Sequence, residues 1–230
     1  MIEFLSNSTF FGVLVCIGLY FIGMAIQKRF KFALLNPMLL SMTVIIIFLV
    51  TSGMDYRVFQ ASAQPLSYLL TPATVCLAIP LYQQLDKLKK NWQAIIAGIV
   101  AGVLSSAVSI FLMAAAFGLN HAEYVSCLPK SITTAIGMVM SEELGGYASI
   151  TVGLIIVTGL VGNIFGEQML RMMRVKDPIA KGIGMGSASH AFGTARALEM
   201  GEVEGAMSGL SVAVSGLITV VAVQFFAGLI

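Results

Sequence analysis

Apolar residues come in long runs along this chain, separated by short charged clusters, without the alternation of core and solvent faces that marks a water-facing helix. The run STFFGVLVCIGLYFIGMAI, 8–26, is long enough for one bilayer crossing and stops at Lys28, Arg29 and Lys31. A second, about 36–52, opens with Asn36-Pro37 and ends before Asp55 and Arg57. A third, about 65–85, is interrupted by Pro72 and Pro80, each freeing a carbonyl that something else must satisfy. Past Asp86, Lys87, Lys89, Lys90 and Trp92, an interfacial cluster with an aromatic anchor, a fourth covers about 93–118. Gly98 and Gly102 give it a small-xxx-small face for close helix packing. Two more apolar runs follow, 148–170 and about 205–228.

Composition agrees with lipid as the main solvent. The chain is 58% hydrophobic and 10% charged, with a mean hydropathy of +0.93, where a soluble surface needs about 25% charge. A net charge of +2 leaves no basic face for nucleic acid. Cys16, Cys76 and Cys127 are isolated in apolar stretches and read as small buried hydrophobes. No CxxC or Cys/His cluster supports zinc or haem, so neither metal nor cofactor is expected. Glu3 stands where a signal peptide would be basic, and no small-x-small cleavage site follows, so the first run reads as a retained span.

The positive-inside rule orients these spans. Residues 28–31 and 87–90 fall on the cytoplasmic side, and Asp55, Arg57 and the 119–123 loop outside. The richest basic loop, with Arg171, Arg174, Lys176 and Lys181, stays inside only if 124–146 begins and ends on the outer side, dipping to mid-depth. Its sequence CLPKSITTAIGMVMSEELGG offers Pro129 as a break, Ser131 as a helix cap and Gly145-Gly146 as a stop. By the same count 178–201 dips in from the inner side. The expected fold is all-α, a polytopic helical membrane protein with about six crossings and two opposed re-entrant or broken-helix segments. It is read as one integral membrane domain, with four spans in 1–118 and the re-entrant segments in 119–230. Fragments 71–112 and 187–228 are faintly alike, as duplicated transporter halves can be.

Non-helical backbone at membrane depth requires protein or water around it. A short helix starting at Ser131 and another starting near Ser187 or Ser189 would aim unpaired N–H groups and positive dipole ends at each other. With Lys130, His190 and Arg196 nearby, such tips make a site for a small anion. Thr133 and Thr134 offer hydroxyls to a carboxylate. On a continuous helix Ser189, Gly193 and Arg196 share one face, and Ser187, His190 and Thr194 the adjacent stripe. Duller readings stand beside these. Arg196 precedes Glu199 by three residues and can pair with it, and His190 can be a bonded core histidine. Glu167 is either a proton-coupling carboxylate or an interfacial residue before Arg171. KGIGMGS matches no phosphate-loop pattern and reads as helix packing.

PKSITTAIGM, TGLVGNIFG and RVKDPIAKGIGMGSASHAFGTARALEMGEVEGAMSGL resemble the LrgB/CidB family of bacterial inner-membrane proteins. LLNPMLL and AIPLYQQL carry the likeness more loosely into the first half, and Ala135 replaces a second proline usual in relatives. The resemblance implies a multi-pass protein of the bacterial cytoplasmic membrane. It further implies either transport of small 2-oxo or 2-hydroxy monocarboxylates (the pyruvate, glycolate, glycerate or lactate class), or an antiholin-like or holin-like role in murein hydrolase export and cell lysis. A small LrgA/CidA-type membrane partner is implied as well.

Transport by alternating access is the first expectation, with a small carboxylate anion as ligand and a proton or sodium ion as coupling partner. Analogy with transporters that carry opposed re-entrant segments adds a homodimer. Lysis control by assembly is the alternative. Enzymatic function is not expected: Lys130 and Ser131 diverge by about 100° on a helix, and neither HExxH nor GxSxG occurs.

Overall fold

The computed structural model describes residues 10–30, 35–69, 72, 75–76 and 78–230, with the backbone alone at 78, 80 and 81. Among these residues the protein is all-helical. Chain contacts divide it into two compact units, 1–76 and 77–230. Among the described residues four helices are long and apolar enough to cross a membrane: Phe11–Phe30, Leu85–Phe117, Ala148–Met172 and Glu202–Leu229.

In the first unit, α1 (Phe11–Phe30), α2 (Pro37–Ser52) and α3 (Tyr56–Tyr68) form a small bundle. Asn36 starts α2: its Oδ1 accepts from the Met38 amide at 2.9 Å, and Pro37 takes a first-turn position where its missing N–H costs nothing. α1 lies close to both partners because it has glycine at each crossing. A Cβ on Gly12 would meet Ala63 N at 2.7 Å, and one on Gly23 would meet Pro37 Cα at 2.8 Å. The Gly12 amide uses this closeness to donate to Ser62 Oγ at 3.0 Å. Phe11 fills the centre against Phe48 and Phe59.

The third apolar run needs correction. Helix begins at Tyr56, nine residues before the expected start, with Asp55 as its cap and Pro65 inside it. Its polar face hid it from a search for apolar runs. Pro72 is helical, whereas its neighbours 70, 71, 73 and 74, and also 77, fall outside the described residues. Lys31 and Glu3 fall outside as well.

The second unit comprises α4 (Ala78–Gln83), which includes Pro80, α5 (Leu85–Phe117), α6 (His121–Cys127), α7 (Thr134–Glu143), α8 (Ala148–Met172), α9 (Pro178–Met200) and α10 (Glu202–Phe226), ending in a 3-10 turn, Ala227–Leu229. α5 kinks at Asn91, which separates the charged first turns from the apolar body. At one end of the unit His121 lies 3.2 Å from Leu144 O and 2.7 Å from Ile230 O, so α6 begins where α7 finishes. A buried hydroxyl group ties this hairpin to α8: Thr151 Oγ1 is 2.9 Å from Ser126 O and 2.8 Å from Ser141 Oγ.

α9 makes the opposite hairpin. Gly182 and Gly186 press their backbones against Glu204 and Ser208 of α10, while Leu198, on the return, packs on Gly205. α9 therefore rises beside α10, turns, and descends beside it again. The turn is at Ser189 (φ −133°, ψ 17°) and His190 (φ 43°, ψ −134°). A histidine in that left-handed region carries strain of about 1–3 kcal/mol, so its surroundings must hold it there. They do so through α8. His190 Nε2 donates to Ile155 O at 3.0 Å, its ring meets Phe192 edge-on at 5.3 Å, and the bare backbones of Gly159 and Gly162 receive His190 and Ser189.

Candidate functional site

The tips of the two hairpins meet α5 about halfway along the unit. Lys130, Ser131, Ser187 and Ala188 line one cleft of about 380 Å³, with Ser105, Ser106 and Ser109 of α5 opposite. Lys130, Ala188 and Ser189 also border a second cleft of about 410 Å³ along α8. Lys130 Nζ donates to Ser131 Oγ at 2.9 Å. Among the described residues no carboxylate lies within 4.0 Å of it, since the ion pairs present all involve Glu167 or Glu199. A half-buried ammonium without a counter-ion is costly in an apolar setting and attracts an anion.

The hydroxyls around it differ in what they have left to give. Ser131 accepts from Lys130, which leaves its own O–H free. Ser106 Oγ is buried and, among the described residues, has no hydrogen-bond partner. Ser105, Ser109 and Ser187 donate to backbone carbonyls of Gly102, Ser105 and Ile183. The remaining Lys130 protons and the Ser106 and Ser131 hydroxyls form a donor set suited to one small anionic group.

The structure separates several residues that sequence spacing had grouped. Thr133, not Ser131, is the N-cap of α7, and its side chain makes no capping bond. Neither Thr133 nor Thr134 lines the two clefts. Because α9 breaks at 189–190, Ser189, Gly193 and Arg196 do not share a helix face, and the Ser187, His190, Thr194 stripe is broken too. Gly193 packs against Met185 O and Ser189 of its own hairpin, leaving no opening for a ligand. Thr194 Oγ1 is spent within the hairpin and on Ser208, at 3.0 Å from His190 O and 2.9 Å from Ser208 Oγ. His190 is 2% exposed and borders neither cleft. Pro129 is buried where α6 gives way to the Lys130 loop.

Arg196 lies away from the clefts. Its guanidinium joins Glu167 of α8 and Glu199, each at 2.5 Å, and Glu167 also holds Arg171 at 2.5 Å. Of these pairs only Arg196–Glu167 crosses between helices, and it fastens the returning half of α9 to α8. The serine face of α5 went unnoticed in the sequence, although SSAVS at 105–109 within an otherwise apolar span was a readable sign of it.

Several long apolar helices among the described residues mark a multi-pass helical membrane protein, one of whose further helices is broken at 189–190. The profile of the LrgB-like family matches residues 16–229, and the chain belongs to that family. It is 40% identical to the antiholin-like protein LrgB of Bacillus cereus (strain B4264) over 222 residues, 96% of each chain. The antiholin-like protein LrgB of Bacillus anthracis (strain CDC 684 / NRRL 3495) is equally similar over the same share. No solved structure matches.

Proposed function

We propose that this protein is an antiholin-like component of the bacterial cytoplasmic membrane that restrains murein hydrolase activity and lysis, together with a small LrgA/CidA-type membrane protein. The observation carrying this reading is the 40% identity, over 96% of both chains, to relatives named antiholin-like. Deleting the gene in its host is expected to accelerate detergent-induced autolysis and raise hydrolase activity in zymograms of the culture supernatant, with both restored by the intact gene. Unchanged autolysis would remove the reading.

A second reading is favoured by one observation, the Lys130 ammonium without a carboxylate among free hydroxyls. It is secondary transport of a small monocarboxylate of the pyruvate, glycolate, glycerate or lactate class, by alternating access in a homodimer coupled to a proton or sodium ion. In proteoliposomes, labelled pyruvate, glycolate or lactate is expected to enter saturably. Lys130→Gln is expected to reduce entry by about 30-fold or more, the effect of removing one partner of a buried charged hydrogen bond. Lys130→Arg is expected to retain part of the flux. Dye leakage of any small solute, indifferent to both changes, would speak for a lesion and against a carrier.

A further inference from the structure

The two clefts run in opposite directions from Lys130. The first climbs α5 from Gly102 through Ser105 and Ser109 to Met113, one turn short of that helix's end at Phe117. The second descends α8 from Thr158 through Gly162 and Gly166 to Met173, just beyond the helix end at Met172. These ends lie on opposite sides of the unit. α5 begins on the side where α8 ends: the first limb of α9 starts at Pro178, soon after α8 ends at Met172, and runs alongside α5 in the same direction, Gly98 facing Ile183 and Gly102 facing Ser187. The basic groups Lys87, Lys89 and Lys90, and Arg171, Arg174, Lys176 and Lys181, mark that side as cytoplasmic. Lys130 and Ala188 are the two residues common to both clefts.

We propose that these clefts are the outer and inner halves of one path for a small monovalent anion, with Lys130 and Ala188 as the septum between them. This rests on the transport reading and extends it to route and charge. One ammonium can neutralise one negative charge, and a second would stay unpaired in an apolar setting, which selects against dianions. The walls suit passage better than retention: the outer half offers hydroxyls, and the inner half has glycines beneath an exposed apolar rim of Val157 and Met169. Ser189 fills the notch over Gly162, so a shift of the α9 tip against α8 opens or closes the inner half beside Lys130.

The test uses the full chain with Cys16, Cys76 and Cys127 replaced by alanine, carrying either Ser109→Cys or Met169→Cys. Membrane-impermeant methanethiosulfonates are applied to each side of sealed vesicles of known orientation. Ser109→Cys is expected to react only from outside, and Met169→Cys only from inside. At both positions the ratio of the rate of the anionic sulfonatoethyl reagent to that of its trimethylammonium counterpart should exceed the same ratio for a small free thiol by about tenfold, as a focused positive potential requires. That preference should vanish with Lys130→Gln and persist with Lys130→Arg. If Lys130→Gln does not accumulate, Lys130→Met carries the same comparison. Labelling of both cysteines from one side, or a preference that survives loss of the lysine charge, overturns the proposal. Labelling does not depend on flux. The expected pattern without saturable uptake would therefore retain the path and remove transport, and uptake without the pattern would do the reverse.

Discussion

Gly162→Val is expected to cost about 3 kcal/mol of stability, while Gly153→Val, on the same helix, stays within about 0.5 kcal/mol. A Cβ at Gly162 would overlap Ser189 Oγ and Cβ, whereas one at Gly153 would meet nothing within 4 Å. Both changes introduce the same side chain into α8, so differences in helix propensity cancel. What remains is the collision with the α9 turn. Ser189 cannot easily withdraw, because the next residue is held in a left-handed conformation by its bond to Ile155 O. The comparison can be read from thermal denaturation in detergent, with fluorescence-detected size exclusion reporting whether each variant stays monodisperse. Equal stability of the two variants would mean that α9 does not turn against α8 at this level.

The second large effect concerns the charges around Glu167. Glu167→Ala is expected to destabilise by about 2 kcal/mol, because it leaves a half-buried guanidinium with one exposed partner and brings two arginines together. The two bonds of Glu167 should not contribute equally. The Arg196 and Glu167 side chains are 34% and 21% exposed, whereas Arg171 is 76% exposed and its attraction is screened by solvent. A double-mutant cycle should give a coupling of about 1–2 kcal/mol for Glu167 with Arg196, and about 0.5 kcal/mol or less for Glu167 with Arg171. The inverse order would mean that the interhelical bond does not fasten α9 to α8. This structural role also accounts for an arginine and a glutamate within apolar surroundings without making either a ligand.

The parts of the fold legible in the sequence were those set by local chemistry. Asn36-Pro37 is a start signal and a long apolar run follows, so α2 could be read directly. Pro129 and the doublet Gly145-Gly146 mark the turn and finish of the first hairpin, and Gly145 does adopt a positive φ of 80°. The break in α9 was legible in place but not in cause: a helix start is expected near Ser187 or Ser189, and the chain turns at 189–190. The segment is rich in glycine, yet the chain turns at a serine and a histidine. What holds the turn there is not local: it depends on Gly159 and Gly162, some thirty residues earlier, and on a carbonyl of α8. Helical spacing then grouped residues across a point where the helix stops. Lys130, Ser131 and Ser187 do come together, because each lies at or beside a hairpin tip. The serines of α5 joined them unseen, since a hydroxyl in an apolar helix often bonds only its own backbone, as Ser105 and Ser109 do here.

The turn at His190 also bears on how the protein is built. A segment needs about 20 apolar residues to leave the translocon sideways into lipid, and α9 is divided into two shorter limbs that carry serines, a histidine and an arginine. Neither limb can partition alone. Their bonds across to the neighbours, from His190 Nε2 to Ile155 O of α8 and between Thr194 Oγ1 and Ser208 Oγ of α10, form only when α8 and α10 stand on either side. Docking of this hairpin is therefore expected to be a folding event inside the bilayer, separate from the insertion of α8 and α10.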